Sequence, residues 1–138
     1  MEAILLLCDY ADALNGKLYI AGGGWNRIIK VAPISVSIAV MIDVPWQAAN
    51  ERHSLLVTLQ TEDGERVRSP EGNEVKIEGE FETGRPAGTK PGSPLRAPLA
   101  LRLEGLDLPR GGYAFVLDID GSEVARATFL VEDPTAQR

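Results

Sequence analysis

Few side chains in this sequence could carry chemistry, and His53 comes first because it is the one imidazole in the chain. Nucleophilic catalysis needs Ser or Cys beside a base, and here that base would have to be His53. An enzymatic reading would pair it with Asp9 or Asp63 as orienting acid. Its neighbours argue for a plainer role. His53 alternates with Leu55, Val57 and Leu59, which marks a hydrogen-bonded border residue at the wet end of an apolar stripe. Cys8 alternates with Leu6 and Ile4 and is expected to pack in the core as a small hydrophobe. We therefore expect no catalytic residue and no enzyme.

Gly22-Gly23-Gly24 has the look of a phosphate-binding loop but lacks its surroundings. Such a loop needs a Lys-Ser or Lys-Thr pair and a helix whose N-terminus faces the anion. Trp25, Asn26, Arg27, Ile28 and Ile29 follow instead, with Pro33 close behind, so a bulge or sharp bend is expected. One histidine and one cysteine cannot build a structural zinc site. The acids Asp118 and Asp120, or Glu62, Asp63 and Glu65, lack the ligand spacing of a calcium loop. Strand alternation puts Asp118 and Asp120 on one solvated face. No cofactor and no metal are expected.

Binding is the remaining possibility. Trp25 and Trp46 fall in connectors rather than in alternating segments, and a connector tryptophan either covers an open end of the fold or anchors a partner or a sugar ring. Arg27 lies two residues after Trp25 and could stack or donate in either role. Trp25, Arg27, Trp46 and His53 are the candidate contact residues.

The elements that must position them read as strands. Ile34, Val36, Ile38, Val40 and Ile42 alternate with Ser35, Ser37, Ala39, Met41 and Asp43, the period of two that gives a strand one buried face. Val75, Ile77, Gly79 and Phe81 alternate with Glu74, Lys76, Glu78, Glu80 and Glu82. A helix would scatter those charges around its circumference, whereas a strand gathers them on one side. Tyr113 to Asp120 and Val124 to Val131 flank Asp120-Gly121, whose tolerance of positive φ suits a tight hairpin. Ala3 to Tyr10, Lys17 to Ala21, His53 to Glu62, Arg66 to Arg68 and Ala97 to Leu103 complete eight or nine strands. Pro45 to Arg52 could form one helical turn.

Short strands at regular spacing, without crossover helices, predict an all-β fold: an antiparallel β-sandwich of immunoglobulin-like or related Greek-key topology. A closed barrel is the alternative. Residues 1–132 form one domain in this reading, 83–98 a long Pro/Gly-rich loop, and 133–138 a flexible tail. The loop carries Arg85, Lys90 and Arg96 without an acid, making it a positive segment on a negative body.

Fourteen Lys and Arg face twenty Asp and Glu, a net charge of −6. Such a chain has no uniform positive field to draw it to nucleic acid or an anionic membrane. The apolar run Ala3 to Cys8 follows Glu2 and is cut by Asp9, unlike an export signal, and no apolar stretch is long enough to span a membrane. A cytoplasmic location is expected, where a lone thiol stays reduced.

Asp9-Tyr10-Ala11, Asn15-Gly16-Lys17-Leu18, Ile20-Ala21-Gly22-Gly23-Gly24-Trp25 and Arg27-Ile28 make the first half of the chain similar to an uncharacterised bacterial family of short all-β proteins, a domain of unknown function. Val44-Pro45-Trp46, His53 and Glu62-Asp63-Gly64 continue the similarity. Leu108-Pro109, Gly112-Tyr113 and Asp120-Gly121 carry it further only as a strand pattern. The resemblance implies no reaction, cofactor or partner. The expected function is thus a binding or protein-interaction module that associates with itself or another protein; the alternative is a small-ligand or carbohydrate-binding module using the tryptophans.

Overall fold

A computed structural model describes residues 1–31 and 33–134. Among these the chain forms β1 (Glu2–Leu14), β2 (Lys17–Gly23), β3 (Arg27–Ile29), β4 (Ile34–Val44), a 3-10 turn (Trp46–Ala48), β5 (Arg52–Thr61), β6 (Lys76–Glu82), β7 (Leu95–Leu106), β8 (Gly111–Ile119) and β9 (Ser122–Glu132). The fold is all-β, as the alternating patterns require. One sheet has the order β2-β1-β4-β7 and the other β3-β9-β8-β5-β6. The five-stranded sheet curls into a half-barrel, a shape between the two architectures weighed above.

The core lies between the sheets. Ile38, Val40 and Ile42 of β4 meet Val57 and Leu59 of β5 and Phe115 and Leu117 of β8, all fully buried. Phe129 stacks at 5.4 Å on Phe115 and at 5.8 Å on Tyr113, joining β9 to the same cluster. Each such side chain contributes about 1.5–3 kcal/mol through burial, so the core holds both sheets in register without staples.

Several expectations need correction. Arg66 to Arg68 is not a strand; it contributes only the isolated bridges Gln60↔Arg66 and Arg68↔Glu74, because turns on either side leave too few residues for a ladder. The loop 83–98 is shorter than read, since Leu95 to Pro98 pair with Val44 to Met41. Pro98 fits because β7 is an edge strand, where a missing N–H breaks no ladder bond. The fold is not wholly antiparallel: Arg27–Ile29, without any alternation to announce it, pairs in parallel with Leu130–Glu132. Pro45 to Arg52 condenses to the 3-10 turn at Trp46–Ala48. The expected tail lies outside the described residues from 135 onward.

The glycine triplet makes the anticipated bend. Gly22 and Gly24 have φ of 59° and 86°, and any Cβ on Gly22 would strike the Asp9 carboxylate. The Gly24 N–H donates to Leu7 O at 2.8 Å. Through this bend the chain leaves the sheet of β2 and enters the sheet of β3.

Candidate functional site

His53 opens β5 on its core-facing side and is buried beside Phe81, whose ring centroid lies 5.4 Å away. Its Nδ1–H donates to Asp120 Oδ2 at 2.8 Å, and its Nε2–H donates to Ala48 O at 2.8 Å. The Ala48 carbonyl and the Asp120 carboxylate both hold the imidazole above its ordinary pKa. Asp120 is in turn held low, first by His53 and then by the Ser54 N–H, which donates to Oδ1 at 2.9 Å. The left-handed φ of 51° at Asp120, in the turn between β8 and β9, swings its carboxylate to the end of β5. Asp118 instead sits opposite Leu56, on the other side of the sheet. The two acids therefore do not share one solvated face, and Asp120 rather than Asp9 or Asp63 is the acid on His53. With both ring nitrogens bonded, the imidazole ties the turn before β5 to the turn between β8 and β9.

Trp46 belongs to the same end of the molecule. Its turn supplies the Ala48 carbonyl, while Arg85 from the loop between β6 and β7 covers the ring at 4.4 Å and donates to Trp46 O at 2.7 Å. One residue of the positive loop is thereby tied down by a cation–π contact. An open cleft of about 450 Å³ beside Trp46 is bordered by Glu2, Asp43, Gln47, Ser93 and Pro94.

Trp25 and Arg27 lie elsewhere. Trp25 meets Phe129 edge-on at 6.2 Å, and its Nε1–H is buried with no hydrogen-bond partner. Arg27 grips Glu132 with two bonds of 2.6 and 2.8 Å. Phe129 pairs with Tyr113 and Leu55 with Ile119, so β8 runs from the Trp25 end to the His53 end. Six residues at about 3.3 Å each separate them by about 20 Å. The four candidates thus form two pairs at opposite ends and no common pocket. A cleft of about 390 Å³ near Trp25 is lined by Asn26, Thr61, Glu62, Tyr113, Arg126 and Thr128, none of which is among the candidate contact residues.

Asp120, Arg85 and Glu132 were missed as partners because each arrives from a distant segment; only the Asp120-Gly121 turn left a local trace. Among the described residues no three His, Cys, Asp or Glu side chains gather to hold a metal ion, and no helix is long and apolar enough to cross a membrane.

A different surface stands out. Leu5 and Leu7 face the core, whereas Ile4 is 63% and Leu6 38% exposed, so the face of β1 that Cys8 shares points outward. Cys8 is buried there, its Sγ–H donating to Ser37 O at 3.4 Å, and does not join the core cluster. Cys8 is buried as expected, while the outward turn of Ile4 and Leu6 on the same face follows from β1 being apolar on both faces. Tyr10, Leu14 and Tyr19 continue the exposed apolar surface along β1 and β2, and Ile20 is exposed on the reverse of the hairpin. β1 parts from β4 after Cys8↔Ser37, leaving Asp9–Leu14 with β2 as its paired neighbour.

No curated protein and no solved structure matches the chain. The resemblance read from the first half of the sequence extends through the second: residues 3–132 match as one unit, and the chain belongs to a family of unknown function, DUF6941.

Proposed function

We propose that this protein is a non-enzymatic interaction module that binds a second copy of itself through the outer surface of the β1–β2 hairpin. The observation that carries this reading is the concentration of exposed large apolar side chains on one face of that hairpin: Ile4, Leu6, Tyr10, Leu14 and Tyr19. Monomeric proteins rarely leave so contiguous an apolar stripe in water. The engaged nitrogens of His53 and the separation of the two tryptophans favour it over catalysis or ligand stacking. A reducing, cytoplasmic setting accords with the single buried thiol.

The scaffold is best read as a sandwich of immunoglobulin-like or related Greek-key topology. Support comes from the short β3 lying parallel beside the last strand. It also comes from Tyr113 at the start of β8, whose O–H donates to Pro109 O at 2.6 Å in the manner of a tyrosine corner.

Light scattering over a dilution series tests the function. The expected result is a mass of two chains at micromolar concentration that falls to one on dilution, and one chain throughout for the Tyr10→Ser/Tyr19→Ser double variant. A mass of one chain at every concentration overturns the proposal.

A further inference from the structure

Among the described residues four strand edges have no hydrogen-bonded neighbour, and they are not equivalent. β6 carries Lys76, Glu78, Glu80 and Glu82; β7 carries Pro98 with Arg96, Arg102 and Glu104; β3 is three residues long. Charge, proline and brevity are the ordinary defences of an edge against pairing with another chain. β2, with the sequence Lys-Leu-Tyr-Ile-Ala-Gly-Gly, has a charge only at its first residue. Among the described residues no strand is hydrogen-bonded to its outer edge.

The hairpin register settles which backbone groups are free. Asn15 and Gly16 form a two-residue turn with φ of 53° and 74°, closed by Leu14↔Lys17. In such a hairpin the closing pair is hydrogen-bonded, as is every second pair beyond it, here Asp12↔Tyr19 and Tyr10↔Ala21. Lys17, Tyr19 and Ala21 therefore direct their N–H and C=O groups toward β1, and Leu18 and Ile20 direct theirs to the open side.

We infer that β2 pairs antiparallel with β2 of a second copy, Ile20 opposite its own counterpart, joining two four-stranded sheets into one. This deepens the self-association proposed above and rests on it. Antiparallel pairing sets residues with outward backbone groups against each other, so Ile20 can face Ile20, Leu18 or Gly22 of the other copy. The Ile20 register is the one in which size is complementary at every step. Tyr19 faces Ala21, Leu18 faces Gly22 and Lys17 faces Gly23, so each bulky side chain in the first half of the strand meets a small residue in the second half. No like charges oppose each other. On one face, Tyr19 would cover Ala21 of the second copy and reach its Tyr10, burying two tyrosines that are now half exposed. On the other, Ile20, Ala11 and their counterparts would form one apolar row. The left-handed Gly22 ends the regular ladder at Leu18↔Gly22.

Opposed hydrogen-bonded residues in such a pair lie about 5.5 Å apart at Cα, within the reach of a disulfide. In the full chain, Ile20→Cys is therefore expected to form a covalent dimer on mild oxidation. Lys17→Cys, whose counterpart lies about 20 Å along the strand, should stay uncrosslinked, as should the parent chain with its buried Cys8. Ile20→Asp should scatter light as one chain at concentrations where the parent scatters as two. A parent chain of two-chain mass, with no disulfide from Ile20→Cys and an undiminished mass for Ile20→Asp, overturns β2 pairing and leaves self-association standing. A parent chain that scatters as one overturns both. If Ile20→Asp fails to fold, as far-ultraviolet circular dichroism would reveal, crosslinking of Ile20→Cys against Lys17→Cys decides alone.

Discussion

His53 and Asp120 are 67 residues apart and joined at 2.8 Å from Nδ1 to Oδ2. Because Ala48 O at Nε2 and Asp120 at Nδ1 are both acceptors, each ring nitrogen must carry a proton to satisfy them, and a neutral imidazole has only one. The folded state therefore prefers the imidazolium, in keeping with the raised pKa.

Stability should follow pH accordingly. A group whose pKa is higher in the folded state stabilises it fully below the unfolded value, here 6.5, and loses that contribution as pH rises through the folded value. Asp120 works in the opposite sense: its lowered pKa stabilises above 3.8 and fails as pH falls through the folded value. Urea unfolding is expected to show a plateau between those limits and a decline on the alkaline side. The decline is modest, since water screens the half-exposed carboxylate. His53→Phe should abolish the alkaline decline, and an unchanged slope in that variant would refute the double-donor arrangement.

This tie illustrates what the sequence does and does not disclose. The face on which His53 lies was legible because Leu55, Val57 and Leu59 fix the phase of β5, and the Asp120-Gly121 turn was legible from its composition. That the two meet was not, because it depends on which strands become neighbours. The same holds for Arg27 with Glu132 and for β3, whose three residues have no period of their own and are strand only because β9 lies beside them. β1 fails for another reason. Alternation locates a buried face only when the other face is polar, and Ile4, Leu6 and Cys8 leave both faces apolar.

Tyr113 gives a second prediction. Its O–H donates to Pro109 O at 2.6 Å across the approach to β8, while its ring stacks on Phe129. Burial pushes the phenol above its ordinary pKa, so the donor remains protonated throughout the usual range. Tyr113→Phe keeps the ring and deletes the bond, and should cost about 1 kcal/mol in thermal or urea unfolding. A variant as stable as the parent would show the corner to be incidental.

Gly112 is crowded by a neighbouring side chain rather than set by turn geometry. The Glu62 side chain lies directly over it, and a Cβ there would overlap the carboxylate. Because Glu62 is exposed and flexible, its side chain can swing aside, and Gly112→Ala should destabilise by less than about 1 kcal/mol. Glu62→Ala alone should have little effect on an exposed position, and combined with Gly112→Ala it should recover most of the loss. Additive effects in that double-mutant cycle would mean the clash is relieved another way.

At the opposite end from His53, Trp25 holds a buried Nε1–H with no acceptor while its ring packs edge-on against Phe129. An unpartnered buried donor carries a desolvation penalty of about 1–3 kcal/mol, and the aromatic contact offsets it. Trp25→Phe removes the donor, keeps an apolar ring and leaves a smaller volume, so the two changes should nearly cancel and stability should shift by less than about 1 kcal/mol. Trp25→Ala loses the contact as well and should cost about 3 kcal/mol. Arg27→Ala, by contrast, removes a bond made at the surface by a guanidinium 61% exposed, where water screens the pair, and should have little effect. The order expected from unfolding midpoints is Trp25→Ala well below Arg27→Ala, with Trp25→Phe near the parent. A severe loss in Trp25→Phe would mean the indole nitrogen has a partner in solution and that Trp25 does more than close this end of the core.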